Sequence, residues 1–144
     1  MLLKVILVGK TKDRLIADRI AEYSKRLNAY CKLETVYISD STVAGEGAAI
    51  VRELEKERNS KIFILSEEGR EFTSPQMGEM IKKLDCKAVF VIGGAFGLAD
   101  EVKAKADVLW SLSKLTFPHE IAALLLFEQL YRACNISHGG SYHH

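Results

Sequence analysis

Three stretches of the sequence carry residue types able to do chemistry. Gly93-Gly94-Ala95-Phe96-Gly97 sets glycines between an aliphatic run and a charged one, which lets a ligand approach the backbone and meet its amides. It lacks the Gly-x-Gly-x-x-Gly spacing of a dinucleotide site, and a tight turn needing positive φ accounts for the glycines as well. Ser111-Leu112-Ser113-Lys114-Leu115-Thr116-Phe117-Pro118-His119 offers hydroxyls, an ammonium and free amides just before a helix start, where Pro118 forfeits no hydrogen bond. His119 falls in that first turn, near the positive end of the helix dipole; it reads either as a capping or packed side chain or as a reactive one. The tail Ser137 to His144 holds three of the four histidines. It reads as a disordered end or as a Tyr-His lid that supplies an acid or base near neutral pH. No zinc spacing joins its histidines to the cysteines, so no metal is expected. Glu128 and Arg132, four apart, are placed for an ion pair that either braces a helix or orients a site.

The elements that must position these residues follow from periodicity. Residues 2 to 8 are aliphatic except for Lys4 and end at Gly9, which describes a strand buried on both faces. From Asp13 the stripe Ile16, Ile20, Tyr23, Leu27 and Tyr30 marks a helix to about residue 30. Leu33 to Ile38 is a second strand, Ser39 to Gly47 a loop, and Ala48 to about Arg58 a charged helix. A third strand, Lys61 to Ser66, closes at Glu67-Glu68-Gly69. Ser74 followed by Pro75 caps a helix reaching about Leu84. Ala88 to Ile92 is a strand, Asp100 to Lys105 a brief helix, and Val108 to Leu112 another strand. After the loop Ser113 to Phe117, Pro118 opens a last helix to about Asn135. Strands alternating with helices give an α/β fold: a mostly parallel open sheet with helices on both faces, in one domain over residues 1–144. Ligands of such sheets bind at the carboxyl ends of strands, which selects the loops after Leu65, Ile92 and Leu112. The last helix is apolar on more than one face, so it is expected to pack on the sheet and also to meet a second subunit.

At 144 residues the chain buries enough surface to fold without staples, and its three cysteines, Cys31, Cys86 and Cys134, read as free thiols of a reducing compartment. No signal peptide or 18-residue apolar run is present, so a cytoplasmic protein with no membrane partner is expected. The net charge of +1 excludes a bulk polycation. Residues 1 to 32 nevertheless hold eight basic side chains against three acids, a segregation that makes either a phosphate-attracting face or an ordinary solvated one.

Four motifs in order resemble the large-subunit rRNA pseudouridine methyltransferase H family. They are Phe90-Val91-Ile92-Gly93-Gly94-Ala95-Phe96-Gly97-Leu98, Trp110 through His119, Glu128-Gln129-Leu130-Tyr131-Arg132-Ala133, and Tyr142-His143. The resemblance spans the chain, starting from Val8-Gly9-Lys10 and Glu22-Tyr23-Ser24-Lys25-Arg26-Leu27. It implies a SPOUT enzyme, a homodimer whose C-terminal part forms a trefoil knot around S-adenosyl-L-methionine. It assigns cofactor contacts to Leu65, Gly93, Gly94, Leu112, Ser113, Lys114, Leu115, Thr116 and Phe117. It also implies methylation of N3 of a pseudouridine in helix 69 of 23S rRNA, within the ribosome. His143 is then expected as base or substrate clamp, Tyr142 as the residue that places the uracil ring, and Arg132 as a contact across the dimer. Lys12, Arg14, Lys25 and Arg26 are the expected RNA footprint. A non-catalytic ribosome-assembly factor on the same fold is the alternative. Relatives commonly follow Tyr-His with lysine or arginine where this chain has His144.

Overall fold

The computed structural model describes residues 1–144. Its strands are β1 (Leu2–Val8), β2 (Lys32–Ile38), β3 (Ser60–Arg70), β4 (Lys87–Ile92) and β5 (Val108–Trp110). All pair in parallel, in the order β2-β1-β4-β3-β5. The helices are α1 (Arg14–Leu27), α2 (Val43–Glu55), α3 (Ser74–Lys82), α4 (Asp100–Lys103) and α5 (His119–Ser137).

Alternation along the central strands divides the core into two layers. Leu3, Val5 and Leu7 of β1 and Ala88, Phe90 and Ile92 of β4 face α1, α3 and α5, and this larger layer includes Phe127 and Trp110. Ile6, Val8, Val89 and Val91 face α2 and α4 on the other side. Helices on both faces explain why these strands are nearly free of polar residues. No helix is long and apolar enough to cross a membrane.

Several boundaries differ from the sequence reading, each for a local reason. Helix α2 begins at Val43 rather than Ala48, because Thr42 accepts the Gly45 amide at 3.0 Å. Gly47 signals packing, not a loop: a Cβ there would lie 2.9 Å from the Ala99 methyl, while one on Gly45 would meet the Ser41 hydroxyl and Thr42 at the cap. Thr73, not Ser74, caps α3 through a reciprocal pair with Gln76, while the Ser74 hydroxyl donates to Gln129 on α5. Strand β3 runs on through Glu67-Glu68-Gly69 to Arg70. Strand β5 stops at Trp110 rather than Leu112, since the Ser111 amide turns to the Arg70 carbonyl at 2.9 Å.

Lys4 is the one charged residue inside β1, and it is only 2% exposed. Its Nζ donates to Glu57 Oε1 at 2.9 Å and Glu53 Oε2 at 3.0 Å. Lys87 completes the group on Glu57 and Glu34. Burial opposes the Lys4 charge, but the hydrogen bonds it donates to Glu57 and Glu53, with the charges of Glu57 and Glu34, outweigh it and hold its pKa above the ordinary value. Glu53, through Lys56 and Lys4, sits below the usual carboxylate range; so does Glu57, where Lys4 and Lys87 overcome desolvation. Depressed carboxylates contribute stability that is complete above their ordinary value near 4.5 and is lost as pH falls through the lower folded values. Thermal melts are therefore expected to hold steady from pH 7 to 5 and to fall below about pH 4.5. K4A, which strands carboxylates beside a cavity, should cost about 3–5 kcal/mol in urea denaturation. K4M should cost less and flatten the acid limb; an unchanged limb would mean other carboxylates govern acid stability.

Candidate functional site

The carboxyl ends of β3, β4 and β5 enclose a cleft of about 310 Å³, at the lower end of the roughly 300–1,000 Å³ usual for small-molecule sites. Leu65, Ser66, Glu67 and Glu68 form one wall and Leu112, Ser113, Leu115 and Phe117 another. The floor is Ile92, Gly93, Gly94, Gly97 and Leu98, with His119 and Ala122 at the start of α5. The glycines are required by space. A Cβ on Gly93 would lie 2.7 Å from the Leu98 side chain, and one on Gly94 would lie 3.0 Å from Val8 and from the buried Glu46 carboxylate. The wall after β5 is held by its own polar atoms. Lys114 Nζ donates to the Glu67 and Gly69 carbonyls at 2.9 and 2.8 Å, Ser111 Oγ donates to Ser113 O, and Ser113 Oγ accepts the Leu115 amide.

Seven of the nine positions expected at this site line it: Leu65, Gly93, Gly94, Leu112, Ser113, Leu115 and Phe117. Lys114 and Thr116 do not. The Lys114 ammonium is spent on the two β3 carbonyls, and Thr116 is exposed outside the lining. Sequence reasoning missed Ser66, Glu67 and Glu68, because Glu-Glu-Gly read as the end of a strand that in fact continues. His119 lines the cleft and makes no side-chain cap to α5, so the capping reading does not hold.

A second cluster lies along α5. Arg132 and His119 are thirteen residues apart on this helix, about 20 Å at 1.5 Å per residue. Arg132 donates to Glu128 Oε1 from Nε at 3.0 Å and from Nη2 at 2.5 Å. Its guanidinium carbon lies 4.7 Å from the centre of the Tyr142 ring, and Nη1 stands 3.2 Å from His143 Nδ1. An arginine can only donate, so Nδ1 is the acceptor here and the imidazole N–H is at Nε2. The Tyr142 hydroxyl donates to Glu128 Oε1 at 3.1 Å. Its pKa is raised by the neighbouring Tyr23 hydroxyl, by burial and by Glu128, so it stays a phenol across the physiological range. Glu128 in turn holds the Arg132 pKa above its ordinary value.

The tail that carries Tyr142 and His143 folds back on α5, and besides Glu128 and Arg132 a third helix side chain, Asn135, holds it. Asn135, 7% exposed, accepts the Tyr142 amide at 3.0 Å and donates to the Tyr30 hydroxyl at 3.0 Å. Gly140 passes so close that a Cβ there would lie 2.3 Å from Asn135 Nδ2, and Gly139 takes φ +72°. His138 caps α5 and packs on Tyr30, with ring centres 4.8 Å apart. Nowhere are three His, Cys, Asp or Glu side chains gathered as a metal site needs. The expected basic footprint divides. Arg26 is paired with Glu22 and lies over Tyr23 and Tyr131 near the tail, whereas Lys12 and Arg14 stand exposed at the other end of α1.

Replacing Asn135 by alanine removes its bond to the Tyr142 amide and its bond to Tyr30. N135A should lose about 1–3 kcal/mol and let a carboxypeptidase trim residues 138–144 several-fold faster. Equal trimming of the two proteins would show that ring packing and the bonds to Glu128 and Arg132 suffice to hold the tail.

A family model whose description reads "Predicted SPOUT methyltransferase" matches residues 1–143. Proteins named Ribosomal RNA large subunit methyltransferase H are similar over nearly the full length of both chains. The one from Desulfitobacterium hafniense is 38% identical, covering 98% of each chain; that from Synechococcus sp. is 43% identical, covering 98% of this chain and 93% of its own. Among solved structures, a methylase family protein from Haemophilus influenzae superposes with a TM-score of 0.63 at 13% identity, over 99% of this chain and 70% of that one. A Bacillus anthracis protein described as an RNA methyltransferase gives 0.60 at 17%, over 92% and 94%. These structures share the fold.

Proposed function

The chain belongs to the SPOUT methyltransferases and, within them, to the ribosomal RNA large subunit methyltransferase H family, and from that membership we propose that it methylates N3 of a pseudouridine in helix 69 of 23S rRNA on assembled ribosomal particles. The observation that carries this reading is the cleft built by the three carboxyl-end loops, with the Tyr142 and His143 tail ordered on the same helix that opens the cleft.

The cleft fits S-adenosyl-L-methionine by its donor set. Leu65, Ile92, Leu98 and Leu112 offer apolar surface for an adenine, the glycine floor offers bare backbone, and Glu67 offers a carboxylate to a cationic ligand, Glu68 being paired with Lys103 at the rim. When bound, this cofactor supplies an electrophilic methyl group. We include the trefoil knot in the reading, supported by the way Lys114 ties the segment after β5 to the extended end of β3.

Within one protomer the Arg132–Tyr142–His143 cluster is about 20 Å along α5 from the cleft, too far for atoms that must touch. The reading therefore requires a homodimer in which the tail of one subunit meets the cleft of the other. The apolar residues Ile121, Leu124 and Leu125, left half-exposed on α5, support that contact. The imide N3–H of the base must give up its proton before nitrogen attacks. As held in the protomer, His143 presents Nε2–H to a uracil carbonyl, while Tyr142, its proton engaged by Glu128, offers its ring to place the base. The proton acceptor appears when Arg132 turns to an RNA phosphate and releases Nδ1; the imidazole then gives up its carbonyl contact, turns Nδ1 to the base and takes the N3 proton, becoming the imidazolium.

Alanine at His143 should lower methyl transfer to undermethylated ribosomal particles at least tenfold, while calorimetric binding of S-adenosyl-L-methionine is unchanged. Mixing an R132A protein with a G94V protein, each nearly inactive alone, should restore activity in the mixed dimer, where one site keeps an intact cleft and an intact tail. No restoration would place cleft and tail residues of one site on the same subunit.

A further inference from the structure

The most exposed large apolar side chain in the molecule is Phe96, 88% accessible at the tip of the turn that leads out of the cleft floor. The turn is closed by the Gly97 amide on the Gly94 carbonyl at 3.1 Å, with Gly97 at φ +87°. The ring is thus held away from the cleft, not folded into it. Across Gly93 and Val8 lies the loop between β1 and α1, where Lys10 and Lys12 are exposed and belong to no ion pair. This loop is fixed to the start of α5: Glu120 Oε1 accepts the Lys12 and Asp13 amides at 2.8 and 3.0 Å.

We propose that this rim grips the RNA beside the target nucleotide, Phe96 stacking on an unpaired base and Lys10 and Lys12 taking the adjacent phosphates. The inference rests on the reading that the substrate is RNA. A lone aromatic between Ala95 and Gly97 is too small to form the core of a protein interface, yet one ring face is all a base needs. Free cations beside it are what a phosphate backbone requires. Asp100 and Glu101, exposed just beyond the turn, repel phosphates on that side and so set the strand's direction, with backbone over the lysines and base over the ring. Glu120 acts as a positioning residue: it seats the lysine loop against the helix whose first turn lines the cofactor cleft.

The test is steady-state methyl transfer to undermethylated ribosomal particles over a salt series, with the wild-type dimer as control. F96A should raise KM for the particles about tenfold with little change in kcat, and F96W should restore it. Replacing Lys10 and Lys12 by glutamine should reduce the slope of log KM against log salt by about 2. Calorimetric affinity for S-adenosyl-L-methionine should be unaltered in all variants. An unchanged KM in F96A overturns the proposal, and so does conversion of F96A to monomers in sedimentation, which would assign the ring to a second copy of the chain. If the wild-type dimer itself transfers no methyl group to the particles, it is the RNA reading that has failed.

Discussion

The cleft depends on a backbone-to-backbone approach at the edge of the sheet. Strand β3 does not end with its pairing at Leu65 but slips register and meets β5 again at Arg70 opposite Trp110. Between these points Gly69 lies so close to β5 that a Cβ would stand 2.4 Å from the Leu109 carbonyl oxygen. Only glycine permits the approach, and its consequences are chemical. It brings the Glu67 and Gly69 carbonyls within reach of Lys114 and turns the Ser111 amide to Arg70. An edge strand of three residues could not hold the loop from Leu112 to Phe117 by its ladder alone. The lysine and the extended β3 do so, and the cleft has fixed walls as a result.

Helix α5 then has two unlike duties. Its first turn borders the cleft, and its third and fourth turns carry Glu128 and Arg132 toward the folded-back tail. Between them Ala123, Leu126, Phe127, Leu130 and Ala133 are buried against the sheet and against α1 and α3. A helix this well packed is a rigid ruler, so the separation of the two groups is fixed and cannot be closed by bending within one subunit. On the proposed function, cleft and tail meet by association of two subunits, for which the half-exposed leucines on the remaining face offer apolar surface.

Much of this was legible from residue order. The continuous aliphatic runs of β1 and β4 announced strands covered on both faces, and the loops chosen from the carboxyl-end rule are those that line the cleft. What sequence hid is of one kind: residues whose roles are set by a distant neighbour. Gly47 looked like loop, because the packing of α2 on Ala99 that demands a small residue lies fifty positions away. Glu67-Glu68-Gly69 looked like a strand end, because nothing local reveals that β5 will run beside it. The tail looked free, because Asn135, which helps hold it, is an ordinary helical residue until Gly140 comes to lie against it. The tail histidines, for their part, owe their partners to the fold: His138 packs on Tyr30, and His143 receives Arg132.

A net charge of +1 would be poor equipment for holding RNA if the charges were evenly mixed. The structure shows that they are not. Lys4, Arg26, Lys56, Lys87, Lys103 and Arg132 are each neutralised by a carboxylate within 4 Å, so these cations contribute little field beyond a Debye length of about 8–10 Å. Lys10, Lys12 and Arg14, at one rim of the sheet, are among the cations that enter no ion pair, and the acids near them are engaged with backbone amides, Asp13 as the α1 cap and Glu120 on the Lys12 and Asp13 amides. A local excess on an otherwise neutral body gives weak attraction to RNA in general and useful attraction only where the rest of the surface also fits. Selectivity of this domain for RNA must come from that coincidence of shape and a few free charges, because it has too little net charge to bind RNA at random.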